Sequence, residues 1–497
     1  MENTQPLDVN GKPYNRALLV AVLMIGSFCT ILNGTLLATA LPAIMKSFNV
    51  STATVEWLST GFMLVNGIMI PVSAWLINKF GSRIMYITAM TIFLAGTILA
   101  FMAPNFGSLL AGRLIQGLGV GVTMPLLQTI MLTIFPPEKR GAAMGTVGVA
   151  IGVAPALGPT LSGWIVDNWS WRELFGMILP ICILVLVFAF FFMKNVLPTH
   201  KQDLDIWSIT SSTIGFGSLL YGFSEAGNSG WTSVKVISFL IVGVIFIILF
   251  GYRQLHMDDP FLDISVFKYK EFLLAAVLSG VANLAMMGVE MILPLYIQNI
   301  RGESALHSGL ILLPGALCMG ILSPITGRIF DRYGARQMAI TGLSLLVLGT
   351  IPFLFLNSHT SIVLIVIFYA IRMFGIVMAM MTVTTSGMNV LPLDKLSHGT
   401  ASNNTFRQVM SSIGTAILVS VLSDVTKGSM PAKSVLHATP LHYRDQAINA
   451  SITGFHAAFA VSILFALIAF CVAFMLKRGN NVRRAASEPE KMTKEAE

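Results

Sequence analysis

Three charged residues stand inside long apolar runs: Arg113, Glu290 and Arg372. An ionised group in hydrocarbon is expensive and persists where it faces water, a partner or a cargo. Glu290 is therefore a candidate proton carrier or cation site, the alternative being a structural hydrogen bond or ion pair. Arg113 is its candidate electrostatic modulator. Arg372, with Glu225 and Asp424 nearer the ends of their runs, forms a secondary acid/base set. Asn33, Asn66, Gln116, Gln128, Asn283 and Gln408 are polar residues in apolar runs, and such residues face a bundle interior more often than lipid. Phe62 and Met287 join them as candidate walls of a substrate cavity, since aromatic and thioether side chains adapt to varied apolar ligands.

Other chemistries have no residues to carry them. There is no GxxxxGK(S/T) phosphate loop, no HExxH and no GxSxG. The four cysteines, Cys29, Cys182, Cys318 and Cys471, are far apart and lack metal or redox spacing. An enzyme, a metal centre and a cofactor are not expected.

These residues must be positioned by membrane helices. Of 497 residues 55% are apolar and only 11% charged, too few charges to coat a soluble protein of this size. The net charge of +8 therefore does not point to nucleic acid. Apolar runs of spanning length fall near 17–44, 55–77, 84–103, 108–134, 141–166, 173–193, 208–224, 234–252, 272–297, 308–329, 338–356, 361–388, 402–423 and 455–476, fourteen in all. The first run is too long for the core of a cleavable signal peptide. With the N-terminus inside, 22 of the 31 Lys and Arg fall in inner segments, Arg407 counted among them. That bias puts both termini in the cytoplasm. Residues 424–454 form one long outer loop, holding His437 and His442.

The chain also repeats itself. Ala40-Leu41-Pro42 matches Ile292-Leu293-Pro294 at an offset of 252. Pro71 matches Pro324, and the stretch from Ala74 to Arg83 matches that from Gly327 to Arg336, both at 253. Arg113 matches Arg372 at 259, and Pro136–Lys139 matches Pro392–Lys395 at 256. A parallel duplication of six spans, related by an axis along the membrane normal, places a substrate site between the halves near mid-bilayer.

Two motifs bear on movement. Gly327, Asp331, Arg332, Gly334 and Arg336, with Asn78, Gly81 and Arg83 in the first copy, form a charged turn suited to latching neighbouring helix ends. Gly145, Gly158, Pro159 and Gly163 lie in a run of small residues that permits close helix approach, with prolines that interrupt backbone bonding.

The twice-present loop motif resembles the signature of the major facilitator superfamily. Leu110–Gly119 is similar to that family's span-4 motif. Gly145-x8-Ala154-x3-Gly158-Pro159-x2-Ser162-Gly163 is similar to the antiporter motif of drug exporters, and Leu32–Thr35 through Ala40–Pro42 to the first-span motif of the fourteen-span drug:proton antiporters. The resemblance runs from the first span to the last. It implies an all-α polytopic fold of two six-helix halves plus two inserted helices. It also implies a proton-coupling role for Arg113. Two positions depart from the pattern: Asn33 and Asn78 stand where members usually carry Asp. Asn33 cannot carry a proton, so the burden of coupling shifts to Glu290.

The expected organisation is a cytoplasmic segment at 1–16, a half at 17–200, an inserted pair at 201–260, a second half at 261–476 and a basic tail at 477–497. The expected activity is export of amphipathic drugs or toxic compounds across the cytoplasmic membrane by proton antiport. Partners are those small substrates, protons and membrane lipid. An exporter of a lipid, glycolipid or metabolite with the same fold, or a non-transporting sensor, is the alternative.

Overall fold

A computed structural model describes residues 6–37, 39–200, 202–432 and 440–477. The helices are α1 (Arg16–Leu36), α2 (Leu41–Phe48), α3 (Thr52–Val55), α4 (Trp57–Phe101), α5 (Phe106–Ile134), α6 (Arg140–Asn168), α7 (Glu173–Phe192), α8 (Ile206–Ser229), α9 (Val234–His256), α10 (Lys270–Asn299), α11 (Ala305–Tyr333), α12 (Ala335–Thr350), α13 (Ile362–Asn389), α14 (Leu396–Ser429) and α15 (Pro440–Ala473). Among the described residues, twelve helical stretches are long and apolar enough to cross a membrane. At 1.5 Å per residue the 21 residues of α1 reach about 32 Å, the thickness of the hydrocarbon core.

α4 has 45 residues, about twice what a crossing needs. Its break is Gly81, at φ 76° and ψ 170°, a conformation that strains any residue with a Cβ. Asn195 locks the break by accepting from the Ser82 amide at 2.8 Å. The repeat copy breaks the same way: Gly334, at φ 82° and ψ 174°, separates α11 from α12.

Contacts gather both described chain ends at one end of the bundle. Val9 N donates to the Asn195 carbonyl at 3.0 Å, and Lys477 pairs with Glu271 at the start of α10. The starts of α6 and α14 lie at this end too, as their contacts with Asp331 and Asn78 show.

The apolar interior divides. One cluster draws mainly on α1 through α7, a second on α10 through α15. Two small clusters attach α8 and α9 to that frame: Val72, Trp75, Phe250, Phe261 and Ala401 form one, Ala226, Val236 and Ala416 the other. α8 packs on both α4 and α14; Trp57 of α4 stacks on Tyr221 with centroids 5.8 Å apart, and Trp231, in the turn after α8, donates from Nε1 to Ser420 Oγ at 2.9 Å. Outward faces expose Phe190, Phe191, Trp207 and Ile248, as lipid contact allows.

The expected segments shift in two places. The run 17–44 is not one helix: α1 stops at Leu36, and Pro42 sits in the first turn of the separate α2. The loop at 424–454 is largely helix, since α14 continues to Ser429 and α15 begins at Pro440. Hydropathy ends where polar side chains begin, whereas the helical backbone continues. His437 lies outside the described residues. His442 is held by its own helix, its Nε2 lying 2.9 Å from Gln446 Nε2.

Candidate functional site between the halves

Each apolar cluster holds a fully buried arginine that reaches at least one carbonyl of the cluster's first helix. Arg113 on α5 donates from Nη1 to Gln116 Oε1 at 2.8 Å and to the Asn33 carbonyl on α1 at 3.4 Å, and from Nε to the Leu58 carbonyl at 3.2 Å. Its guanidinium lies 4.1 Å from the Phe62 ring centroid. Asn33 Nδ2 donates to Gln116 Oε1 at 3.1 Å, and Gln116 Nε2 donates to Thr97 Oγ1 at 2.9 Å. No carboxylate joins this network among the described residues. Asn33, Gln116 and Phe62 therefore hold Arg113 and are themselves buried.

Arg372 on α13 is the counterpart. Its Nη2 donates to the carbonyls of Ala285 and Met286 on α10, at 2.9 and 3.1 Å. Asn33 and Ala285 are 252 positions apart, so both arginines reach for the same backbone step in the two copies. A glycine behind each makes room. A Cβ on Gly96 would lie 2.7 Å from Gln116 N, and one on Gly349 would lie 2.7 Å from Arg372 N.

Glu290 stands four residues beyond Met286 on α10, half-buried. It lies within electrostatic reach of Arg372 and Tyr369 of α13. Among the described residues its carboxylate has no hydrogen bond or ion pair.

The remaining polar candidates have distinct places. Gln128 is buried and accepts from Asn404 Nδ2 at 2.7 Å, across the seam between α5 and α14. Asn283 is buried on α10 and donates to the Arg407 carbonyl at 3.1 Å. Asn66, Met287 and Gln408 are half-exposed. Glu225 is engaged between α8 and α9, 3.2 Å from Lys235 Nζ and accepting from Ser229 Oγ at 2.6 Å. Asp424 is exposed near the end of α14.

One charge was missed. Arg407, assigned to an inner flank from sequence, lies within α14, eleven residues past its start. The apolar run there begins with Ser, Asn and Thr, so its edge is blurred in the hydropathy. Asn403, Asn404 and Gln408 around it were the available signal, a polar helix segment too long for a loop.

At the end where the chain termini lie, the halves clasp each other. Asp331 of α11 accepts from the Gly141 and Ala142 amides at 2.9 and 3.0 Å, capping the start of α6. In the other copy, Asn78 Oδ1 accepts from Ser397 Oγ at 2.6 Å, and the Asn78 amide lies 3.0 Å from His398 Nε2, at the start of α14. Arg83 donates to the Phe190 carbonyl at 2.9 Å, and Arg332 lies 5.5 Å from the Tyr333 ring centroid. Arg336 is half-exposed. Thr129 and Thr400 approach to 2.6 Å, and Arg140 donates to Asn389 Oδ1 at 3.1 Å.

The small residues of α6 form the other seam. A Cβ on Gly145 would meet the Ser323 carbonyl of α11 at 2.6 Å, and one on Gly152 would meet Met319 at 2.7 Å. Gly158 is turned the other way, onto Thr35 of α1, while Gly163 faces Leu306. Pro159 lies beside Gly309. The motif thus packs α6 on both halves.

An all-helical bundle with two apolar clusters, paired buried arginines and a reciprocal clasp agrees with a family match: residues 23–415 fit the model of the Major Facilitator Superfamily. The chain belongs to the Major Facilitator Superfamily. It is 49% identical over 470 residues to the uncharacterised MFS-type transporter YcnB of Bacillus subtilis (strain 168), covering 95% of this chain and 97% of that one. It is 39% identical over 465 residues to the lincomycin resistance protein LmrB of the same organism, covering 93% and 95%. The human organic anion transporter MFSD10 (TETRAN) superposes with a TM-score of 0.65 at 15% identity, over 92% of this chain and 99% of that one, a likeness of fold. As a Major Facilitator Superfamily member this chain is a multi-pass membrane transporter, and the family and these relatives are transporters rather than enzymes.

Proposed function

We propose that this transporter exports amphipathic drugs or toxic compounds by proton antiport, rocking two halves about the seams described above. The observation that carries the coupling is Glu290: a carboxylate in the interior, unpaired, within electrostatic reach of Arg372. Asn33 leaves the first span with no acid, so Glu290 is the proton carrier, while Arg113 and Arg372 set the field around it. The resistance names of relatives such as LmrB support a drug as cargo.

Fourteen crossings follow if the 52–101 stretch, bent at Gly81, crosses twice and the 24-residue α8 crosses as well. Both chain ends then share the cytoplasmic side, where the basic residues concentrate. The clasps at Asp331 and Asn78 make this state closed to the cytoplasm. Residues 17–200 and 261–476 are the moving halves, and 201–260 the inserted pair.

The test is proton release from purified protein on addition of lincomycin and other amphipathic drugs, compared with Glu290→Gln. Release in the parent chain and none in the variant is expected. Undiminished release from Glu290→Gln would show that the proton is carried elsewhere.

A further inference from the structure

Arg113 and Arg372 each donate to backbone carbonyls and are fully buried. Arg407 is different. Among the described residues its one bond to another helix runs through its backbone carbonyl, which accepts from Asn283. Its buried Nε has no partner, and no carboxylate pairs with its guanidinium among the described residues. The side chain as a whole is half-exposed, so the head of the guanidinium reaches open space.

That space is internal. α14 is surrounded by α4, α5, α8, α10 and α15. On α14, Thr400 and Asn404 meet Thr129 and Gln128 of α5, while Asn403 and Phe406 meet Ser279 and Gly280 of α10. At about 100° per residue, position 407 falls between those two faces. It therefore points between α5 of one half and α10 of the other, into the centre of the molecule. Gln408 beside it reaches Gly67 of α4. Arg407 lies on the same level of the bundle as the seam residues Asn404 and Gln408. Among the described residues three arginines thus stand well inside the helices against one carboxylate, Glu290, and of the three only Arg407 has a guanidinium that makes no hydrogen bond.

We infer that Arg407 is a binding site for the anionic group of an amphipathic substrate, a carboxylate or phosphate received between the halves. A guanidinium fork matches either oxyanion bidentately, and removal from bulk water strengthens the contact. A substrate with only positive charge meets like charge at this position. That the bound anion is also moved rests on the export function proposed above; the binding does not.

The experiment uses the full chain, purified, with fluorescein as the anionic probe and fluorescence polarisation as the readout. Benzoate should displace the dye and benzamide, its uncharged analogue, should not. Arg407→Gln should weaken dye binding by about tenfold or more, the loss typical of a charge-assisted hydrogen bond, with Arg407→Lys intermediate. Glycerol phosphate added in parallel identifies the source: if it displaces the dye and benzoate does not, the site takes a lipid headgroup phosphate rather than a substrate carboxylate. Equal binding by parent chain and Arg407→Gln overturns the assignment, as does equal displacement by benzamide and benzoate on the parent chain, a comparison that needs no variant to fold. Ethidium efflux from proteoliposomes reports the export function separately. Efflux of ethidium without any fluorescein binding would refute the anion site and leave export standing; fluorescein binding without movement of either dye would do the reverse.

Discussion

Asp331 and Asn78, 253 positions apart in the chain, each grip the start of a helix in the opposite half. Asp331 reaches the backbone amides of α6, and Asn78 reaches the side chains of Ser397 and His398 on α14. The clasp is reciprocal, yet only one side of it is charged. Asp331→Ala uncaps α6 and should cost the closed arrangement about 1–2 kcal/mol, a cap's usual worth. Asn78→Ala should cost less, since neutral hydrogen bonds contribute about 0.5–1.5 kcal/mol. Spin labels at exposed positions 138 and 328 should report a larger open fraction for Asp331→Ala. Unchanged distance distributions in both variants would mean the clasp does not hold this end.

Gly327 and Gly141 let α11 and α6 touch backbone to backbone: a Cβ on Gly327 would run into the Gly141 carbonyl. A carbonyl on a packed helix cannot turn aside as a flexible side chain can. Gly327→Ala should therefore force the two helices apart at this end, at about 1–3 kcal/mol for overpacking. Cysteine-accessibility labelling should show the clasp region opened while the protein remains folded. Gly163→Ala meets only ordinary contacts, with its nearest atom at 3.5 Å, and should leave labelling unchanged.

Arg113 satisfies three acceptors and stacks on Phe62. Lysine keeps the charge but cannot reproduce the planar fork. Arg113→Lys should lower stability by about 1–3 kcal/mol through the buried acceptors it leaves unmet. Phe62→Leu should cost about 1 kcal/mol from the lost cation–π contact. Thermal melts of the purified variants decide both. A melting temperature unchanged by Arg113→Lys would assign this arginine no structural role.

The α8–α9 pair carries its own pH dependence. Asp205, at the cap of α8, is bridged by Arg253 of α9 at 2.6 and 2.8 Å. Arg253, together with Ser208, holds the Asp205 carboxyl down to about 2. A depressed carboxyl contributes its stability above its unfolded value of about 3.9 and loses it as pH falls toward the folded one. Hydrogen exchange in α8 and α9 should be faster in Asp205→Ala than in the parent chain at neutral pH. The two should converge between roughly pH 4 and pH 2. A difference that persists at pH 2 would exclude the bridge as its cause.

The duplication was legible because it is written in residues with fixed conformational demands. Gly81 and Gly334 both need positive φ, and Pro71 and Pro324 both sit inside their helices, so the offsets show in the letters. The clasp was half legible. Asp331 announced a charge at a helix end, but its acceptor role toward two backbone amides has no side-chain signature. The arginine cradles were invisible for the same reason: Ala285 and Asn33 serve through their carbonyls, which every residue possesses. Several polar residues expected to line a cavity, Asn33 and Gln116 among them, instead lock Arg113, because polarity within a span marks an interior position without saying whether it is wall or foundation. Arg407 was counted with the inner flank, although it falls within the 402–423 run, because Ser402 to Thr405 blur the start of that run; α14 begins at Leu396.

The position of α8 has a consequence for traffic. Two halves related by a twofold axis offer two lateral slits through which a compound dissolved in the bilayer can reach the middle. α8 packs on both α4 and α14, held on one rim by Trp57 and, through Trp231 in the turn that follows it, on the other by Ser420, with α9 packed against it. That doorway is shuttered. In the export cycle proposed above, lipid-borne compounds are left with the α6–α11 side, where glycines rather than bulky side chains set how closely the two helices approach.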